Sequence, residues 1–116
     1  MLVVDDDPDI RELLFTALED EGFEVVPAGN GQEALAIIKT FRPDVIVLDL
    51  MMPVMDGWTF AHAYHERPGP HAPIVVLTAA RDAEARAVQI RADGYLGKPF
   101  DMDDLLRLVA HHTGRA

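Results

Sequence analysis

Short uninterrupted apolar runs alternate with amphipathic stretches along this chain. Leu2-Val3-Val4 reads as a buried strand. Asp7 then stands where a helix cap is wanted, Pro8 at the first helical position and Asp9 at the positive end of the dipole. Ile10, Leu13, Leu14, Ala17 and Leu18 make one apolar stripe, and Gly22 ends the helix. Phe23 to Val26 predicts a short strand, and Asn30-Gly31 starts a second helix carrying Ala34, Leu35, Ile37 and Ile38. Pro43 breaks the chain before the third apolar run, Val45-Ile46-Val47-Leu48. Trp58 to His65 predicts a helix, with Trp58 assigned to packing. Arg67 to Pro73 predicts a loop, and Ile74-Val75-Val76-Leu77 a fourth strand. An Ala-rich helix with a weak apolar face is expected from about Asp82 to Arg91. A fifth short strand follows at Tyr95-Leu96. A last helix, capped by Asp101, carries Leu105, Leu106, Leu108 and Val109. Runs without polar interruption suit strands covered on both faces. Five such strands alternating with five helices predict one doubly wound parallel α/β sheet.

Composition narrows this picture. At 116 residues the chain is one ordinary domain, expected to span residues 1–116, and about two-thirds of its unfolded surface can be buried. No cysteine is present, which removes disulfides, thiolate metal sites and cysteine nucleophiles. Twenty acidic residues against ten basic ones leave a formal charge of −10 at pH 7. That surface repels nucleic acid and anionic membranes, so neither is expected as a direct partner. The first apolar stretch is too short for a signal peptide or a membrane span, and the cytoplasm is the expected location. Only two lysines occur, Lys39 and Lys98.

In open α/β sheets the site lies beyond the carboxyl ends of the strands. Those ends carry Asp5-Asp6-Asp7, then Asp49, then Thr78, then Lys98-Pro99-Phe100. Asp7 reads as the helix cap. The remaining carboxylates repel one another unless a cation joins them, and hard oxygen donors select Mg²⁺ or Mn²⁺. A carboxylate beside such an ion can attack a phosphoryl group, which makes Asp49 a candidate nucleophile. Lys98 supplies an ammonium and Thr78 a hydroxyl for phosphoryl oxygens. The five histidines, among them His62, His65, His111 and His112, lack acidic partners at ligand spacing and read as ordinary surface or half-buried residues.

This set resembles the receiver domain of two-component response regulators. The resemblance rests on Leu2-Val3-Val4-Asp5-Asp6-Asp7, Pro43-Asp44-Val45-Ile46-Val47-Leu48-Asp49-Leu50-Met51-Met52-Pro53, Met55-Asp56-Gly57, Val76-Leu77-Thr78-Ala79, Gly94-Tyr95-Leu96 and Lys98-Pro99-Phe100. It implies a flavodoxin-like fold with strand order 2-1-3-4-5. It implies that Asp49 accepts a phosphoryl group from a histidine kinase or a histidine phosphotransfer protein. Asp6 would hold Mg²⁺ directly, Asp5 largely through water, and Met51 through its backbone carbonyl. Thr78 and Lys98 would contact the phosphoryl oxygens, and the Lys98–Pro99 bond would be cis. Thr78 and Tyr95 would then shift inward, changing a face made by the fourth helix, fifth strand and fifth helix for a downstream effector that the sequence does not name. A phosphorylation-dependent homodimer also fits the resemblance. The domain would not be an enzyme beyond its own phosphorylation and slow autodephosphorylation.

Two departures from the family pattern modify these expectations. Thr78 and Lys98 stand twenty positions apart, shorter than is common in the family, and Arg91 occupies the place of a helix-ending glycine. The fourth helix is therefore expected to be short or displaced, and poorly terminated. Met51 and Ala80 stand where the family's side chains orient the hydrolytic water, and neither can hold one strongly. Slow loss of the phosphoryl group follows. Three other readings compete. An aspartate-nucleophile Mg²⁺ phosphatase would need a second Asp where Met51 stands. A flavin or nucleotide binder would need Gly, Ser or Thr where Asp5, Asp6 and Asp7 stand. A docking module that is never phosphorylated is the third.

Overall fold

In a computed structural model the described residues are 1–52, 54–79 and 83–114. The elements are β1 (Leu2–Val4), α1 (Pro8–Asp20), β2 (Val26–Ala28), α2 (Gly31–Ile37), β3 (Ile46–Asp49), α3 (Gly57–His65), β4 (Ile74–Thr78), α4 (Ala83–Gln89), β5 (Gly94–Gly97) and α5 (Met102–Thr113). The five strands form one parallel sheet in the order β2-β1-β3-β4-β5. The strand side chains alternate between two buried layers. Leu2, Val4, Ile46, Leu48, Ile74 and Val76 face α2, α3 and α4, where Ala34, Phe60, Ala61 and Ala87 meet them. Val3, Val47, Val75 and Leu77 face α1 and α5, where Leu14, Leu18, Leu105 and Val109 close the second layer. Each of the larger side chains contributes about 2 kcal/mol by leaving water.

The second strand begins later than its apolar run suggests. Phe23 and Val25 are buried, yet only Val26–Ala28 pair with β1. The Val25 amide donates instead to the Glu19 carboxylate, at 3.2 Å. Pro27, with no donor, is tolerated because β2 is an edge strand. Capping follows the sequence at α1, α2 and α5, and α3 adds a cap, Asp56, that was not singled out there. Asp7 accepts from the amides of Asp9 and Ile10, Asn30 from Glu33, Asp56 from Thr59 and Asp101 from Asp103.

Among the described residues the fourth helix spans seven, Ala83–Gln89, and is seated: Ala87 and Ile90 are buried in the α2–α3–α4 layer. Asp82, the expected start, lies outside the described residues, as does Ala80. The helix end is closed more completely than its sequence suggests. The Ala92 amide donates to the Ala87 carbonyl at 2.9 Å and the Arg91 amide to the Val88 carbonyl at 3.2 Å. These are the two bonds of a Schellman ending, made with Arg91 at φ +58° where glycine is usual. A side chain in that region costs about 1–2 kcal/mol, part of which glycine returns through its freer unfolded chain. Arg91→Gly is therefore expected to stabilise the domain by about 0.5–1 kcal/mol. A urea midpoint that moves downward in this variant would contradict the assignment.

At the sheet end opposite the strand carboxyl termini, the rings of Tyr64, His65 and His71 meet at centroid distances of 5.1 to 6.0 Å. His71 Nε2 donates to the Arg67 carbonyl at 2.8 Å. Burial, then the nearby charges of His71, Arg91 and His62, hold the His65 pKa below its ordinary 6.5, with Asp93 opposing. A histidine depressed in the folded state adds stability above its unfolded pKa and loses it as pH falls. The melting temperature is thus expected to drop below about pH 6.5, and His65→Gln to flatten that drop. Identical pH profiles for both proteins would refute the role of His65.

Candidate functional site

The parallel register brings the predicted residues to one end of the sheet. Asp49 closes β3 opposite Leu77, so Thr78 stands one residue beyond it on β4. Thr78 pairs with Gly97, so Lys98 leaves β5 at the same level. The Lys98 amide donates to the Thr78 carbonyl at 2.8 Å, and the Lys98–Pro99 bond is cis. Asp5 follows β1, its amide bonded to the Ala28 carbonyl at 3.1 Å.

Local chain geometry aims the side chains. Asp5 Oδ1 accepts from the Asp7 amide at 3.0 Å, and Asp49 Oδ1 from the Met51 amide at 3.1 Å. The Lys98 ammonium reaches Asp5 Oδ2 at 2.7 Å and Asp49 Oδ2 at 3.4 Å. Asp5, Asp49 and Thr78 are buried, whereas Asp6 is exposed. The loop between β3 and α3 is pulled tight against the site. A Cβ on Gly57 would lie 2.7 Å from the Asp49 carbonyl oxygen and the Leu50 Cα, so only glycine lets α3 start there. The same loop holds Val54 at φ +69°, a strained position for a β-branched residue.

Electrostatics shows what the cluster lacks. Burial, aided by the Asp5 charge, raises the Asp49 pKa, and the Met51 amide and Lys98 only partly offset it. Burial would lower the Lys98 pKa, but its hydrogen bond to Asp5 and the charges of Asp49 and Asp5 outweigh it and leave it raised. Lys98 therefore stabilises the fold below its ordinary pKa and loses that contribution only as pH rises through the higher folded value. The one ammonium contacts two of the clustered carboxylates, Asp5 and Asp49. Oxygens of Asp5, Asp6 and Asp49 come within 4.8 Å of one another, the one such acidic group among the described residues. Two buried carboxylates, one exposed carboxylate and unmet negative charge fit a small divalent cation bound by oxygen.

Tyr95 points outward, 42% exposed, and a hydrogen bond to Glu84 on α4 raises its hydroxyl pKa. Met51 is also exposed. Two participants were not singled out in the sequence. The Arg11 guanidinium donates to the Asp5 carbonyl at 2.8 Å, clamping the turn that carries the acidic pair. Its place one helical turn after the Asp7 cap could have flagged it. Glu84, the partner of Tyr95, carried no comparable signal, because only the packing of α4 on β5 brings the two together.

Comparison with known proteins gives a consistent result. The family model of the response regulator receiver domain matches residues 1–110. The "Uncharacterized 14.6 kDa protein in sodA1 3'region" of Leptolyngbya boryana is 43% identical over 115 residues, covering 97% of this chain and 88% of that protein. The probable transcriptional regulatory protein TcrX of Mycobacterium tuberculosis is 39% identical over 120 residues, covering 98% of this chain and 50% of TcrX. The chain spans about half the length of several curated relatives that it matches. The response regulator TrrA of Thermotoga maritima, solved in complex with Mg(2+)-BeF, superposes with a TM-score of 0.84 at 37% identity, covering 95% of each chain. No helix among the described residues is long and apolar enough to cross a membrane.

Proposed function

The chain belongs to the response regulator receiver family, and from that premise we propose that residues 1–116 form one receiver domain whose Asp49 accepts a phosphoryl group from a phosphohistidine donor. The observation that carries the reading is the Lys98 ammonium held between Asp5 and Asp49 beside three converging carboxylates. Asp5, Asp6 and Asp49, with the Met51 carbonyl, would hold Mg²⁺ or Mn²⁺. Bound there, the cation would supply positive charge against the carboxylates and the incoming phosphoryl oxygens.

The chain's own groups do the rest. The Met51 amide fixes one Asp49 oxygen and leaves the other for attack in line with the leaving imidazole. Lys98 then exchanges part of its contact with Asp49 for a phosphoryl oxygen, and the Thr78 hydroxyl donates to another. The product is a new charged group at the end of β3, which biases a two-state equilibrium. Tyr95 leaves Glu84 and turns inward, and the α4–β5–α5 face changes its affinity for an effector or a second copy. The donor is a histidine kinase or a histidine phosphotransfer protein. The domain works in the cytoplasm without touching nucleic acid itself, and its catalysis stops at its own phosphorylation.

The reading is tested with acetyl phosphate and Mg²⁺. The intact protein is expected to gain one phosphoryl mass, to gain none in a chelator, and to lose it over minutes or longer because Met51 offers no grip on water. Decay within seconds would refute the slow loss. A protein that gains no mass under these conditions supports the unphosphorylated docking module instead.

A further inference from the structure

We propose, resting on Asp49 as the phosphoryl acceptor, that Met51 is an oxidation site through which peroxide shortens the lifetime of the phosphorylated state. Met51 is 57% exposed, while Met1 and Met52 are buried and Met55 and Met102 are half-buried. An oxidant in solution therefore meets the Met51 sulfur first. That thioether is tied to the acceptor. The Met51 amide holds Asp49 Oδ1 at 3.1 Å, so the side chain leaves the backbone beside the carboxylate that carries the phosphoryl group. The bond is made by the main chain, and chemistry at the sulfur leaves it in place.

The oxidation step needs only hydrogen peroxide. A sulfur lone pair attacks one peroxide oxygen, the O–O bond breaks and an S–O bond forms. Sulfur loses two electrons, the peroxide gains them, and one water is released. The product changes what stands beside Asp49. A thioether is a weak acceptor, whereas a sulfoxide oxygen is a strongly polar one. Such an oxygen can hold a water against the phosphoryl group. That water bonds to phosphorus, the bond from phosphorus to the Asp49 oxygen breaks, and the carboxylate keeps the electron pair. The water's proton passes to solvent as inorganic phosphate departs. Oxidation thus gives position 51 a side-chain hold on water that its thioether lacks.

The experiment uses the whole chain and hydrogen peroxide in increasing doses. Peptide masses report which methionine gains oxygen, and the mass of the intact phosphorylated protein reports the decay. Met51 is expected to gain one oxygen at doses that spare the other four methionines. The phosphoryl lifetime is expected to shorten by about tenfold, less than a dedicated general base supplies. Met51→Leu should abolish the response to peroxide, whereas Met102→Leu should respond as the parent does. Met51→Gln, which places an amide oxygen at the same position, should shorten the lifetime without peroxide. Another methionine oxidised first, an unchanged lifetime after Met51 is oxidised, or a Met51→Leu protein that still responds would each overturn the proposal. An untreated protein that takes no phosphoryl group at Asp49 would instead defeat the underlying reading, and this inference with it.

Discussion

The Asp49→Asn protein is expected to take up no phosphoryl group from acetyl phosphate and Mg²⁺, a loss of about three orders of magnitude or more in rate. Asparagine keeps the shape and still accepts the Met51 amide, so only the nucleophile is removed. Because burial raises the Asp49 pKa, its folded value lies above its unfolded one. A carboxyl of that kind favours folding below its unfolded pKa and loses that advantage as pH rises through the folded value. Without a divalent cation at neutral pH, the charged Asp49 therefore costs stability, and Asp49→Asn should be more stable by about 1 kcal/mol, seen as a higher melting temperature. The gain should shrink as the solution is acidified into the carboxylate range, and Mg²⁺ should stabilise the parent more than the variant. The two measurements are independent. Phosphoryl uptake at another residue would move the acceptor. A variant melting below its parent at neutral pH would contradict the electrostatics of the site.

Lys98→Met should have the second large effect. Methionine keeps most of the apolar stem and removes the ammonium that contacts Asp5 at 2.7 Å and Asp49 at 3.4 Å. Both carboxylates are buried, so the variant leaves two unpaired charges out of water. Removing one partner of a buried pair is strongly destabilising. Lys98 retains some access to solvent, so about 2 kcal/mol is the expected loss, seen as a melting temperature lower by about 10 °C. Phosphorylation should slow by about a hundredfold through the lost stabilisation of phosphoryl oxygens. Millimolar Mg²⁺ should restore much of the stability but little of the rate, since the cation replaces the charge and not the position. A variant as stable as its parent in a chelator would show that Lys98 does not neutralise the cluster.

The sequence by itself determined the layered α/β architecture. The uninterrupted runs at Val45–Leu48 and Ile74–Leu77 suit strands covered on both faces, and both are buried centre strands. The starts of α1, α2 and α5 were legible because Asp7, Asn30 and Asp101 act through local hydrogen bonds. The site residues were legible for a related reason. A parallel sheet places every strand's carboxyl end on one side, so the residue after each apolar run is a site residue by topology.

Only the tertiary structure decided the rest. It chose which carboxylates Lys98 meets, because a pairing across 93 positions depends on strand order and register. It trimmed β2 to Val26–Ala28, because a strand exists only where a neighbour supplies partners. It closed α4 on an arginine in a left-handed turn, where local preference asks for glycine and the packing of Ala87 and Ile90 prevails. It brought Arg11 to the Asp5 carbonyl and Glu84 to Tyr95, contacts between elements that each look unremarkable alone. It also set charge against burial. Twenty acids are visible in the chain, but only folding shows that, among the described residues, Asp5 and Asp49 are the ones taken out of water, where desolvation makes their charge call for a compensating cation.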